Sequence, residues 1–193
     1  MARPRQFNEQ EVLLQIMKLF WKHGYEATSM SDIMRETGLS KSSLYDAFGN
    51  KRELFLASFE IYRQMRIRTL EGYLTSQADA RSSIVYFFDM ILGHARAQER
   101  PFGCMSCNEA VELAPHDDEV QQLVERDFQG IEDALADAIE RGMSDGSIPR
   151  GKDSRRLARH MTVTHHGFMM MSRSRADFDR LKDTIAILVT LLD

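Results

Sequence analysis

Residues 29–53 read SMSDIMRETGLSKSSLYDAFGNKRE, and this stretch decides the fold. Ser29 stands where it can cap a helix, with Asp32 three residues on in capping-box position. Ile33 and Met34 give that helix an apolar side. Gly38 follows Thr37 where the helix must turn back, a position often in the left-handed region that glycine enters without penalty. Leu39 is the apolar residue that packs between two helices, and Ser40 caps the second. Two helices joined by a short glycine-containing turn form the helix-turn-helix pattern, whose second helix lies in the major groove of DNA. Within that second helix, Lys41 to Phe48, the pair Leu44 and Phe48 makes the buried stripe and leaves Lys41, Ser42, Ser43, Tyr45 and Ala47 facing outward. Lysine, serine and tyrosine are common phosphate-contacting side chains, and small residues let a helix approach base edges. Asn50 then caps a third helix with Glu53 at its third position, and the N–H groups there, with Lys51 and Arg52, form an expected phosphate clamp. The plainer reading, an ordinary surface helix, fits poorly a helix this short with so few apolar residues.

The stretches Gly24-Tyr25-Glu26-Ala27-Thr28-Ser29-Met30-Ser31-Asp32-Ile33, Thr37-Gly38-Leu39-Ser40-Lys41 and Leu44-Tyr45-Asp46-Ala47-Phe48-Gly49-Asn50-Lys51 resemble the DNA-binding domain of the TetR family of bacterial repressors. The resemblance is dense over about residues 8–60. It implies an all-α, homodimeric, ligand-responsive transcription regulator, with a DNA-binding domain over residues 1–52 and a helical ligand-binding and dimerisation domain over 53–193. It also implies phosphate contacts from Thr28, Lys41, Tyr45 and Lys51, and base-edge contacts around Ser42, Ser43 and Ala47. Asp46 departs from the family, where many relatives carry an aromatic or a histidine; a carboxylate repels phosphate but accepts from a cytosine amine.

Charge patterning is compatible with such a partner. The net charge is −4, yet residues 1–55 hold eight Lys/Arg against seven Asp/Glu, giving +1, and the remainder holds 17 against 22, giving −5. Only the local field at the DNA face bears on binding, and Arg3 and Arg5 add a basic arm. Hydrophobic content of 43% with 28% charged residues is ordinary for a globular protein. The absence of a long apolar run and of a signal-peptide core predicts a cytoplasmic protein with no membrane partner.

The rest of the chain reads as helices over about 8–23, from Lys51 past Arg68, 80–98, 104–113, 117–141, 153–172 and 176–192, with a loop at Gly142–Lys152. No period-2 strand pattern and no repeat is visible, so the fold class is all-α. Leu181, Ile185, Leu188, Val189 and Leu192 on the last helix, with Leu157, Met161, Phe168 and Met171 on its partner, suit an antiparallel pair that joins a second copy as a four-helix bundle. An intramolecular core is the alternative, and the resemblance favours the homodimer.

An effector site is expected among Phe87, Phe88, Phe128 and Phe168, supported by twelve methionines able to fill repackable space, although such residues are more often plain core. Gly103-Cys104-Met105-Ser106-Cys107-Asn108 adds both cysteines, three apart, at a helix N-terminus whose partial positive charge lowers a thiol pKa, with Arg100 nearby. Oxidant or electrophile sensing at Cys104 and Cys107, by disulfide or adduct, is one reading; two buried, inert thiols is the other. The family resemblance carries over to Cys104 only, since some relatives have a Gly-Cys pair opening this helix. A zinc site lacks a second ligand pair, and His165-His166, adjacent on a helix, point about 100° apart. They read as polar residues near the pocket or the dimer seam, with ordinary pKa values and mild pH sensitivity. No cofactor, no metal and no catalytic constellation is expected. The alternatives are a thiol or metal redox protein built on the Cys-x-x-Cys pair, and a helical adaptor.

Overall fold

Asn8 caps the first helix by accepting from the Gln10 N–H, and from there the chain is built of α-helices. The computed structural model describes residues 7–97, 102–174 and 176–193. Arg3, Arg5, Arg100 and Pro101 lie outside these. The helices are α1 (Glu9–His23), α2 (Met30–Thr37), α3 (Lys41–Phe48), α4 (Lys51–Leu74), α5 (Ala80–Ala97), α6 (Met105–Glu112), α7 (Asp118–Asp145), α8 (Ser154–Arg173) and α9 (Phe178–Thr190), with no strand among the described residues.

The caps fall where the residue types place them. The Ser29 hydroxyl accepts from the Asp32 N–H at 3.1 Å, and Asp32 in return accepts from the Ser29 N–H at 2.9 Å. Asn50 and Glu53 repeat this box at the start of α4, and Ser40 Oγ accepts from the Ser43 N–H. Gly38 ends α2 at φ 68°, a conformation that carries a Cβ penalty for other residues.

Two apolar clusters hold the helices together, and α4 belongs to both. Its first half contributes Leu54, Phe55, Phe59 and Tyr62 to a cluster with Val12, Ile16 and Phe20 of α1, Ile33 of α2 and Leu44 of α3. That cluster continues into Cys104, Met105, Val120, Leu123 and Val124, so apolar packing runs across residue 52 into α6 and the start of α7. The second half of α4 sends Leu70 and Leu74 into a cluster with α5, α7, α8 and α9, where Ile84, Phe88, Leu135, Ile139, Met161 and Leu188 are buried.

One expected boundary is corrected. The loop predicted from Gly142 begins later, because α7 continues to Asp145 and ends at Gly146. Gly142 serves close packing within the helix: a Cβ there would lie 2.5 Å from Ile148 Cδ1.

Candidate DNA interface and effector site

The outward side of α3 carries Lys41, Ser42 and Tyr45, all exposed, with Ser43 and Ala47 half-buried at its margins, while Leu44 is fully buried beneath. Lys41 Nζ sits 5.6 Å from the centre of the Tyr45 ring. At the start of α4, Lys51 Nζ lies 4.2 Å from the Tyr25 ring centre, a contact that orients the ammonium without neutralising it.

Two members of the expected set are placed differently. Thr28 is 1% exposed; its hydroxyl donates to Gly24 O at 2.7 Å and its N–H to Tyr25 O at 3.2 Å. It closes the α1–α2 connection in place of the outward side-chain contact that the resemblance implies. Arg52 is also diverted from the expected clamp, because its guanidinium grips Asp117 at 2.9 Å and Glu119 at 2.8 Å at the start of α7. The N–H groups of Arg52 and Glu53 are taken by Asn50 Oδ1 at 2.8 and 3.1 Å, and Lys51, half-buried over Tyr25, is the remaining cation of the clamp.

The second site is buried where the two clusters meet. Phe55, Phe59, Tyr62 and Arg66 follow one face of α4, so an arginine occupies the next position of an apolar stripe. Arg66 Nη1 lies 2.7 Å from Cys104 Sγ and 2.7 Å from Asp127 Oδ2, and its Nη2 lies 3.0 Å from His165 Nε2. A guanidinium only donates, so His165 Nε2 accepts and the ring proton sits on Nδ1. Burial, then the charge of Arg66, holds His165 well below the usual histidine pKa and His166 at about 3. Both rings are therefore neutral near pH 7, which corrects the expectation of mild histidine pH sensitivity.

Cys104 is the N-cap of α6: its Sγ receives the Cys107 N–H at 3.4 Å and the Tyr62 hydroxyl at 3.5 Å. Burial opposes ionisation of this thiol, but hydrogen bonding from Cys107, the Arg66 charge and the Tyr62 hydroxyl together outweigh it and bring the pKa down to about 6. Cys107 is pushed the other way, first by its hydrogen bond to Cys104 and then by burial, and keeps its proton. The first turn of α6 thus pairs a thiolate with a thiol that keeps its proton.

Around this cluster the aromatic residues divide. Phe87 packs on His165 with ring centres 5.6 Å apart, and Phe128 on His166 at 4.0 Å. Phe88 and Phe168 are buried in the apolar core. Asp127 Oδ1, His165 Nδ1 and His166 Nε2 are buried without a hydrogen-bond partner. Sequence reasoning missed Arg66 and Asp127. The signal was present, since each is a charged residue at a stripe position of a long helix, Asp127 between Val124 and Ile131 on α7.

The cluster is tied to the DNA-binding helices at both ends of α6. Before its start, Trp21 Nε1 of α1 donates to Gly103 O at 3.2 Å. At its end, Glu112 Oε1 accepts the Glu26 N–H at 2.8 Å, two residues before Thr28.

A helix-turn-helix head on a helical core with a buried polar centre defines a DNA-binding transcription regulator. Residues 12–58 match the family described as bacterial regulatory proteins, tetR family, and residues 81–188 match the tetracyclin repressor-like C-terminal domain. The chain is 30% identical over 195 residues, the whole of both sequences, to YezE, an uncharacterized HTH-type transcriptional regulator of Bacillus subtilis (strain 168). It is 28% identical to the HTH-type transcriptional repressor ComR of Escherichia coli (strain K12), covering 93% of this chain and 86% of ComR. Its fold is similar to that of a cysteine mutant of the TetR family regulator CifR complexed with 26-bp double-strand operator DNA, with a TM-score of 0.87 at 22% identity over the whole of both chains. The chain belongs to the TetR family, a family of transcription regulators and not of enzymes. No helix among the described residues is long and apolar enough to cross a membrane.

Proposed function

We propose that the chain is a homodimeric repressor of a pseudo-palindromic operator and that chemistry at Cys104 releases it from DNA. In this reading Lys41, Tyr45 and Lys51 hold phosphates, and Ser42, Ser43 and Ala47 approach base edges. The observation that carries the release step is the 2.7 Å contact between Arg66 Nη1 and Cys104 Sγ, at the junction of the two apolar clusters. Removing the thiolate charge takes a counter-ion from Arg66 and the cap acceptor from α6, whose far end holds the α1–α2 connection through Glu112. Coupling of this kind is reciprocal: an effector that weakens DNA is weakened by DNA to the same factor.

Dimerisation is supported by apolar side chains left on the outer faces of α8 and α9. Val163 is 72% exposed, Met170 59% and Ile187 69%, and Val163 and Met170 lie seven residues apart on one side of α8. A stripe of this kind is a natural seam for a second copy. A second reading of the effector, a small non-covalent ligand, is favoured by the unpartnered Asp127 Oδ1, His165 Nδ1 and His166 Nε2 beside Phe87 and Phe128.

Fluorescence anisotropy on the DNA upstream of the chain's own gene, against scrambled duplex, tests this function. Specific binding by the reduced protein that is lost when a small alkylating electrophile labels Cys104 is the expected result. Specific binding that survives full labelling of Cys104 would move the effector to the non-covalent site.

A further inference from the structure

Cys104 and Cys107 differ in kind, and the difference has a chemical use. Cys104 stands at the N-cap with extended backbone, φ −102° and ψ 126°, and is the thiolate of the pair. Cys107, three residues on in the first turn, is half-buried and retains its proton, and its backbone N–H reaches the Cys104 sulfur at 3.4 Å. One sulfur is the thiolate of a fully buried residue beside Arg66, and the other keeps its proton one helical turn away. Asp127, whose side chain is 0% exposed, has Oδ2 on the same Arg66 nitrogen and Oδ1 without a partner in this cluster.

We propose that this pair is a peroxide-driven dithiol switch in which Cys104 is the attacking sulfur and Cys107 the resolving one. This rests on the reading of Cys104 as the release site and specifies its effector as a small hydroperoxide. The Cys104 thiolate attacks the distal oxygen of the hydroperoxide, an S–O bond forms and the O–O bond breaks. The sulfur is oxidised to a sulfenic acid and the peroxide is reduced to an alcohol or water, which takes its proton from solvent. The Cys107 sulfur then attacks the Cys104 sulfur, an S–S bond forms and the S–O bond breaks. The hydroxyl departs with the Cys107 proton as water. The two electrons lost by the sulfurs are the two gained by the peroxide, and no further reactant is needed.

Closing this bond moves atoms that matter. Residues three apart on a helix have Cβ atoms about 5–6 Å apart, whereas a disulfide draws them to about 3.5–4.5 Å. Cys104 lies outside the helix proper, at the N-cap of α6. It is drawn toward Cys107 and away from Arg66, and with it moves Gly103, whose carbonyl holds the Trp21 indole of α1. An adduct on Cys104 alone removes its charge but does not tighten the turn.

The test treats the full-length reduced protein with hydrogen peroxide and follows intact mass and operator affinity together. Expected is a mass lower by about 2 Da with no cross-linked dimer, an operator affinity weakened at least about tenfold, and recovery of both on adding dithiothreitol. Cys107→Ser is expected to stop at a sulfenic acid on Cys104 that dimedone captures, and Cys104→Ser to remain unoxidised at the same dose. Cys107→Ala provides a second variant if the serine disturbs the α6 turn. Dimedone capture on wild-type protein equal to that on both Cys107 variants would overturn the resolving role. Release by a Cys104-labelling electrophile without any disulfide under peroxide would remove this inference and leave the thiol reading standing. Insensitivity to both reagents would remove the two together.

Discussion

Cys104 makes a prediction that needs no DNA. Reaction of a thiol with a small alkylating probe follows its thiolate fraction, so the rate on Cys104 should rise with pH about a midpoint near 6. Arg66→Lys keeps a charge but loses the fork that reaches Cys104 and Asp127 together, and it should move the midpoint upward. An unchanged midpoint in that variant would show that Arg66 does not set the thiol. Glu109, on the same helix, offers a second residue-scale test. Its carboxyl is fully buried with neither oxygen partnered, and burial, followed by repulsion from Glu112, pushes its pKa up to about 8. A pKa raised on folding means the folded state holds the proton more tightly. That contribution is complete below about 4.5, the ordinary value, and is lost as pH rises through about 8. Urea midpoints from pH 5 to 9 should fall with pH more steeply for wild type than for Glu109→Gln. Parallel curves would place the proton elsewhere.

Among the elements, α3 and the start of α4 were the most legible, because capping and turn chemistry are local. Ser29, Gly38, Ser40 and Asn50 occupy the positions their residue types demand. Ser40→Ala should lower stability by about 1 kcal/mol, read by thermal or urea unfolding, since one orphan N–H at the head of α3 loses its acceptor. Lys51→Ala should weaken binding to all duplexes and reduce the salt slope by about one. Identical titrations of wild type and variant over a range of salt would remove Lys51 from the phosphate contacts. The diversion of Arg52 to Asp117 and Glu119 was not legible, because both carboxylates lie 65 or more positions from Arg52 and meet it only through packing of α4 against α7. The same applies to Arg66, Asp127 and His165, which come from three helices. The pattern could show a charge in an apolar stripe but not which opposite charge would answer it. Gly142 misled for a related reason: a glycine read as punctuation was required for the approach of Ile148, a tertiary cause that no local window contains.

For the whole molecule, α4 and α7 both contribute to the two apolar clusters, and α4 begins among the DNA-binding helices, so the head and the core share one continuous rod. The exposed apolar positions of α8 and α9 give the molecular-scale prediction. Val163→Glu together with Ile187→Glu should convert the dimer to a monomer in sedimentation and abolish cooperative binding to a two-half-site operator. The heads of an intact dimer should favour half-sites about 34–36 Å apart, one turn of DNA. A double variant that still sediments as a dimer would place the seam elsewhere.

The chain has one tryptophan, and Trp21 stands on α1 with its N–H on Gly103 O, one residue from Cys104. Its ring packs edgewise on Tyr62 at 5.1 Å and on Phe102 at 5.8 Å. A single fluorophore therefore touches the reading head, the loop before α6 and the tyrosine that contacts the thiol. Any rearrangement that frees Gly103 changes the polarity around that indole, so the colour and yield of its emission form an intrinsic optical gauge. The timing of the proposed switch can be followed in unlabelled protein, in stopped flow, without DNA present.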